Sequence, residues 1–157
     1  MKKVLVIYFS CGGVTKRIAE YMQSVEGVDV WPLEAVQPYT EGDLLAANPR
    51  ARVSVEAADA KCRPEFVNKD INLAKYDTVV IGYPIWFMLP PRIIYTLLGK
   101  LNFQNKQIVP FCTSGGSPVA KSEEDLRKTF PNLNWGKGKQ FSYTSSKQDV
   151  ENWIRGL

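Results

Sequence analysis

Apolar residues along this chain follow two alternating rhythms. Val4-Leu5-Val6-Ile7-Tyr8-Phe9 is unbroken and rich in β-branched and aromatic residues, which predicts a central strand covered on both faces. Beyond it, Val14, Ile18, Met22 and Val25 recur at helical spacing, Lys16, Arg17 and Glu20 are left for solvent, and Gly27 is placed to end the helix. Val28 to Leu33 alternates apolar with polar and reads as a second strand, at or near a sheet edge because of Pro32.

Residues 34–75 carry no sustained period. Asp43 to Ala47 starts like a helix, Pro49 interrupts it, Val53 to Lys61 resumes it, and Arg63-Pro64 breaks it again. Regular rhythm returns with Tyr76 to Gly82, a buried strand, followed by the aromatic stretch Tyr83 to Leu89. Pro90-Pro91 fits the start of a helix with Ile94, Leu97, Leu98 and Leu101 on its inner stripe. Gln107 to Cys112 is the next strand, and Glu123 to Phe130 lies in a helix whose acids Glu123, Glu124 and Asp125 occupy the first turns, where the helix dipole favours them. Gln140 to Tyr143 alternates like a short last strand. Ser146 and Asp149 have capping-box spacing before a helix with Val150, Trp153, Ile154 and Leu157 on one face.

Strands separated by helices predict an α/β fold: a doubly wound sheet of five parallel strands, in three layers. In such sheets ligands collect beyond the carboxyl ends of the strands. Three loops of this chain start there, so all three should line one rim. The first, Ser10-Cys11-Gly12-Gly13-Val14-Thr15, turns from strand to helix. It leaves backbone N–H groups unpaired where the helix dipole favours an anion, with hydroxyls on Ser10 and Thr15 and freedom of approach at Gly12 and Gly13. The second contains Pro84, Ile85, Trp86 and Phe87, and an indole on a loop rim is a stacking platform for a planar ring. The third, Thr113-Ser114-Gly115-Gly116-Ser117, is polar and glycine-rich. The plainer readings are an ordinary strand-to-helix turn for the first, a cover for the core for Trp86, Phe87 and Leu89, and a simple helix start for the third.

Composition narrows the chemistry. At 157 residues and 45% hydrophobic, the chain suits one domain, residues 1–157, with a sizeable core. The apolar run after Met1-Lys2-Lys3 has six residues, short of the roughly 7 to 15 of a secretory signal core, and none approaches a membrane span. Cys11, Cys62 and Cys112 show no metal-ligand spacing and are odd in number, so a disulfide framework is not expected and a cytoplasmic setting is. The chain has no histidine, which removes Ser/His/Asp and Cys/His nucleophile arrangements. Its net charge of +4 is scattered, and no basic, aromatic-interleaved surface for nucleic acid stands out.

The three loops together resemble the flavodoxin family, in particular short-chain members with Gly-Tyr-Pro-Ile-Trp (here Gly82 to Trp86) and Thr-Ser-Gly-Gly-Ser (here Thr113 to Ser117) segments, over Lys3 to about Ile154. The resemblance implies strand order 2-1-3-4-5 and bound FMN, with its phosphate on Ser10 to Thr15, its ring against Pro84 to Phe87, and its pyrimidine edge at Thr113 to Gly116. The family's first loop usually reads Ser-x-Thr-Gly-Asn-Thr, so Gly12 and Val14 lack a hydroxyl and an amide. At about 0.5 to 1.5 kcal/mol per side-chain hydrogen bond, the two changes weaken FMN roughly 5-fold to 150-fold. The implied function is electron transfer to a redox partner protein, or reduction of a quinone-type acceptor by NAD(P)H. The positive charge counts against the first, since flavodoxin carriers are typically acidic.

Two other readings remain open on the residues alone. One is a binding or regulatory protein that keeps the fold with weak or no FMN. The other is a phosphatase, because Cys11 and Arg17 have Cys-x5-Arg spacing, resembling low-molecular-weight tyrosine phosphatases; Ile18 replaces the usual Ser or Thr, and there is no Asp-Pro pair for a general acid.

Overall fold

The computed structural model describes residues 3–157; the cationic lead Met1-Lys2 lies outside them. Elements run β1 (Val4–Tyr8), α1 (Val14–Gln23), β2 (Val28–Pro32), α2 (Arg52–Ala58), β3 (Thr78–Pro84), α3 (Arg92–Lys100), β4 (Gln107–Thr113), α4 (Ala120–Thr129), β5 (Asn134–Trp135), β6 (Lys139–Phe141) and α5 (Lys147–Arg155). The sheet is parallel in the order β2-β1-β3-β4-β5, with β6 also on β4. It has the expected order, with the last of its five positions filled by two short strands.

Alternation along the central strands sorts the core into two layers. Val4, Val6, Tyr8, Val80, Val109 and Phe111 pack with Ile18, Ala19 and Met22 of α1 and with Val150 and Ile154 of α5. Leu5, Ile7, Phe9, Val79, Ile81 and Tyr83 pack on the opposite face with Ile93, Ile94, Leu97 and Leu98 of α3 and Leu126 of α4. Burying a side chain as fully as Ile18 contributes about 1.5 to 3 kcal/mol, and both faces of β1 are covered in this way. Gly82 on β3 has no room for a side chain, because a Cβ would lie 2.1 Å from the Phe111 ring on β4.

The divided fifth strand has a cause on β4. Gln107 N–H donates to Asp77 on the β3 side, whereas the Ile108 carbonyl accepts from Gly136 on the other. By alternation Pro110 turns its nitrogen, which has no hydrogen to donate, toward the fifth position. There Val109 and Pro110 stand opposite Gly136, Lys137 and Gly138, a bulge with one extra residue. Gly138 N–H donates instead to Glu123 Oε1 at 2.6 Å. The expected strand over Gln140 to Tyr143 is observed over Lys139–Phe141, because its residues pair only until β4 ends at Thr113.

The irregular stretch between β2 and β3 contains a short 3-10 turn, Gly42–Leu44, in place of the longer helix suggested at Asp43 to Ala47, and α2 spans Arg52–Ala58, short of Lys61. Its two ends are tied by an antiparallel bridge between Ala35 and Phe66, with Val36 N–H donating to Glu65 and Val67 N–H to Glu34. Among the described residues, no helix is long and apolar enough to cross a membrane.

Candidate functional site

Strand order reverses between β1 and β3, so the chain leaves their carboxyl ends in opposite directions and opens a crevice. The first loop lies at this point. Gly12 and Gly13 have φ of 85° and 90°, left-handed values that explain glycine at both positions. A Cβ on either would meet nothing within 4 Å, so the backbone is open on that side. Ser10 Oγ accepts from Lys16 N–H at 3.2 Å, which leaves its own hydrogen free to donate outward. Gly12, Gly13, Val14 and Thr15 amides find no partner among the described residues, as expected of a helix start. The Thr15 hydroxyl is buried and lies 2.7 Å from that of Thr113, linking α1 to the end of β4.

The second loop is a tight turn. Trp86 and Leu89 exchange backbone hydrogen bonds of 2.9 and 3.1 Å, while Phe87 and Met88 between them have φ of 54° and 68°. This is a type I′ geometry that favours Asn or Gly, imposed here on two bulky residues at a cost of about 1 kcal/mol each. Phe87 is 48% exposed, so it does not cover the core. Trp86 is half-buried and set edge-on, with ring centroids 5.7 Å from Phe9 and 5.3 Å from Tyr39. Tyr39 in turn donates to Glu56, and Arg52 sits 3.7 Å from the Tyr39 ring centre while pairing with Glu56 at 2.7 Å. Pro84 ends β3, and Ile85 N–H reaches the Thr113 carbonyl at 3.3 Å, joining the second loop to the third.

In the third loop Ser114 N–H donates to Phe141 and Ser114 Oγ to the Ser117 carbonyl. Gly115 and Gly116 are exposed, have open space around them and do not adopt left-handed angles.

Two cavities join these loops. One, of about 310 Å³, is lined by Cys11, Leu44, Ala46, Val53, Ile85, Trp86 and Phe87. The other, of about 180 Å³, is lined by Cys11, Val14, Thr15, Pro84, Thr113, Ser114, Gly115 and Tyr143. Cys11 stands in both. Burial pushes its thiol up to about 11, against the opposing pull of Arg52, so it stays protonated at neutral pH. A nucleophilic cysteine needs the opposite shift. Arg17, moreover, directs its guanidinium to the Tyr143 carbonyl. The pair therefore lacks the electrostatics of a Cys-x5-Arg phosphatase.

The three predicted loops meet around the two cavities, and the walls between them come from residues outside those loops. Leu44, Ala46 and Val53 come from the stretch without periodicity, and no local signal marked them. Tyr143 did carry a signal, as an aromatic just past the carboxyl end of the last strand.

Comparisons with known proteins agree with this architecture. A search of curated proteins finds no match. Among solved structures, a candidate flavoprotein from Bacteroides eggerthii is 42% identical, with a TM-score of 0.93 over 100% of this chain and 98% of that one. A second from Bacteroides uniformis is 38% identical, with a TM-score of 0.93 and 98% of each chain covered. A flavoprotein from Lactobacillus acidophilus, solved in complex with FMN, shares the fold at 24% identity and a TM-score of 0.76, over 98% of this chain and 99% of that one. The flavodoxin family model matches residues 3–157, and with that match the chain belongs to the flavodoxin family.

Proposed function

We propose that this protein binds FMN and uses it to reduce small apolar acceptors of the quinone type. FMN, when bound, supplies the redox chemistry, and the protein's part is to hold the cofactor, shield it and admit a partner molecule. Three features support the fit to FMN. The amides of Gly12 to Thr15 have no partner among the described residues, the Ser10 hydroxyl keeps a hydrogen to donate, and the backbone at Gly12 and Gly13 leaves room for a close approach, as a phosphate site needs. Trp86 and Phe87 offer aromatic surface on the same rim, and Gly115 and Gly116, next to Thr113 and Ser114, keep backbone groups without a partner among the described residues for a polar ring edge.

The observation that carries the choice of acceptor is the 310 Å³ cavity. Its lining contains no charged side chain, and it meets the phosphate-side cavity at Cys11. A cavity of this size and character suits an uncharged ring better than a charged dinucleotide or a protein surface. Protein saturated with FMN is expected to oxidise NAD(P)H when a benzoquinone or naphthoquinone is supplied. Ala46→Trp, which fills the cavity, should raise KM for the quinone by a larger factor than it weakens FMN, whose ring shares only the Ile85 to Phe87 wall with that cavity. NAD(P)H oxidation that does not respond to any quinone would overturn the reductase reading. Absence of FMN binding would favour a binding or regulatory role instead.

A further inference from the structure

We infer that Tyr143 is a phosphate-binding residue, its phenol donating to the phosphate of the bound cofactor from the side opposite the first loop. This rests on the FMN reading above. The 180 Å³ cleft, shared by the first turn of α1, the third loop and Tyr143, holds few side-chain donors. Val14, Pro84 and Gly115 have no side-chain donor. Thr15 and Thr113 are buried against each other, and the Ser114 hydroxyl is spent on the Ser117 carbonyl. Cys11 is a weak donor. Of the side chains lining this cleft, the Tyr143 phenol is the one solvent-exposed strong donor with no partner among the described residues.

Hydrogen bonds on both sides fix the backbone that carries Tyr143. Arg17 reaches from α1 to the Tyr143 carbonyl. Ser142 N–H donates to Ser145 Oγ at 2.9 Å, Thr144 N–H to Ser142 Oγ at 3.3 Å, and Ser145 N–H to the Ser142 carbonyl at 3.1 Å. The backbone on either side is thus fixed, while the side chain is 66% exposed and stacks on no other ring. A two-thirds exposed aromatic on a fixed loop gains apolar contact as well as a charge-assisted hydrogen bond when a phosphate ester enters beside it.

The test compares FMN with riboflavin, which has the same ring and polyol but no phosphate. Titration of Tyr143→Phe is expected to show FMN binding roughly tenfold weaker than in the unsubstituted protein, with riboflavin affinity unchanged. Equal losses for both flavins would assign Tyr143 to ring or polyol packing and overturn the inference, as would no loss for either. Thermal unfolding of the flavin-free variant, expected to match the unsubstituted protein, separates binding from folding. Should the unsubstituted protein bind neither flavin, the FMN reading itself fails and this inference falls with it.

Discussion

Thr15 and Thr113, 98 positions apart, meet hydroxyl to hydroxyl at 2.7 Å in the interior of the protein. The contact ties the start of α1 to the carboxyl end of β4, and so fixes the first loop relative to the third. Thr15→Val leaves the Thr113 hydroxyl buried without a partner and is expected to cost about 1 to 2 kcal/mol. Thr113→Val should cost a similar amount. The double variant should cost less than the two together, with a coupling of about 1 kcal/mol. Urea denaturation of the four proteins gives the cycle, and strict additivity would show that the two hydroxyls do not depend on each other.

Gly82 and Phe111 make a second contact that tolerates little change. A Cβ at Gly82 would overlap the ring, at 2.1 Å from its tip. Gly82→Ala is therefore expected to destabilise the protein by about 3 kcal/mol. Adding Phe111→Leu to the same chain should restore part of that loss by vacating the space, measured as a partial recovery of Tm.

The two glycine-rich loops should respond differently to alanine. Gly13 has φ of 90°, and nothing lies within 4 Å of a Cβ there. Gly13→Ala thus costs about 1 kcal/mol from backbone strain alone, and its methyl group projects beside the free amides, weakening FMN. Gly115 has the same open space without the left-handed angle. Gly115→Ala should leave stability unchanged within about 0.5 kcal/mol. Equal stability losses at the two sites would contradict the backbone geometry described above.

Stability at high pH should depend on Cys11. Its thiol is pushed from 9.0 up to about 11 in the folded protein, first by burial. Between those values the unfolded chain has lost a proton that the folded chain retains, so ν is larger in the folded state and stability falls as pH rises. The contribution is fully present below about pH 9 and declines through about pH 11. Cys11→Ser removes this part of the alkaline loss, which thermal melts across pH 8 to 11 would show as a shallower decline than in the unsubstituted protein. Iodoacetamide labelling of Cys11, read by mass spectrometry, should likewise be slow at neutral pH and accelerate toward pH 11.

Much of this architecture was legible because each strand repeats one physical signal. Val4 to Phe9, Tyr76 to Gly82 and Gln107 to Cys112 are runs that only a sheet buried on both faces explains, and their carboxyl ends led directly to the loops. The bulge at Gly136 to Gly138 was not legible, because it depends on which neighbour Pro110 faces, a property of register and not of local sequence. The roles of Leu44, Ala46 and Val53 were hidden for a related reason. They reach the cavity through tertiary packing of an irregular stretch, where no period marks an inner face. The partner of the Thr15 hydroxyl was hidden for the same reason, since Thr113 lies 98 positions away.

The bridge between Ala35 and Phe66 gives one wall of the 310 Å³ cavity a degree of modular independence. Everything from Val36 to Glu65 forms an excursion closed at its base, so its length and sequence can change while β2 and β3 keep their places in the sheet. Leu44, Ala46 and Val53 belong to that excursion, whereas Ser10 to Thr15 and Thr113 to Gly116 belong to the sheet's own connections. Under the proposed reductase function, the first part can change with the acceptor while the second keeps to a single cofactor. The same division makes the excursion a place where a segment from a relative can be exchanged while the sheet's own connections stay as they are.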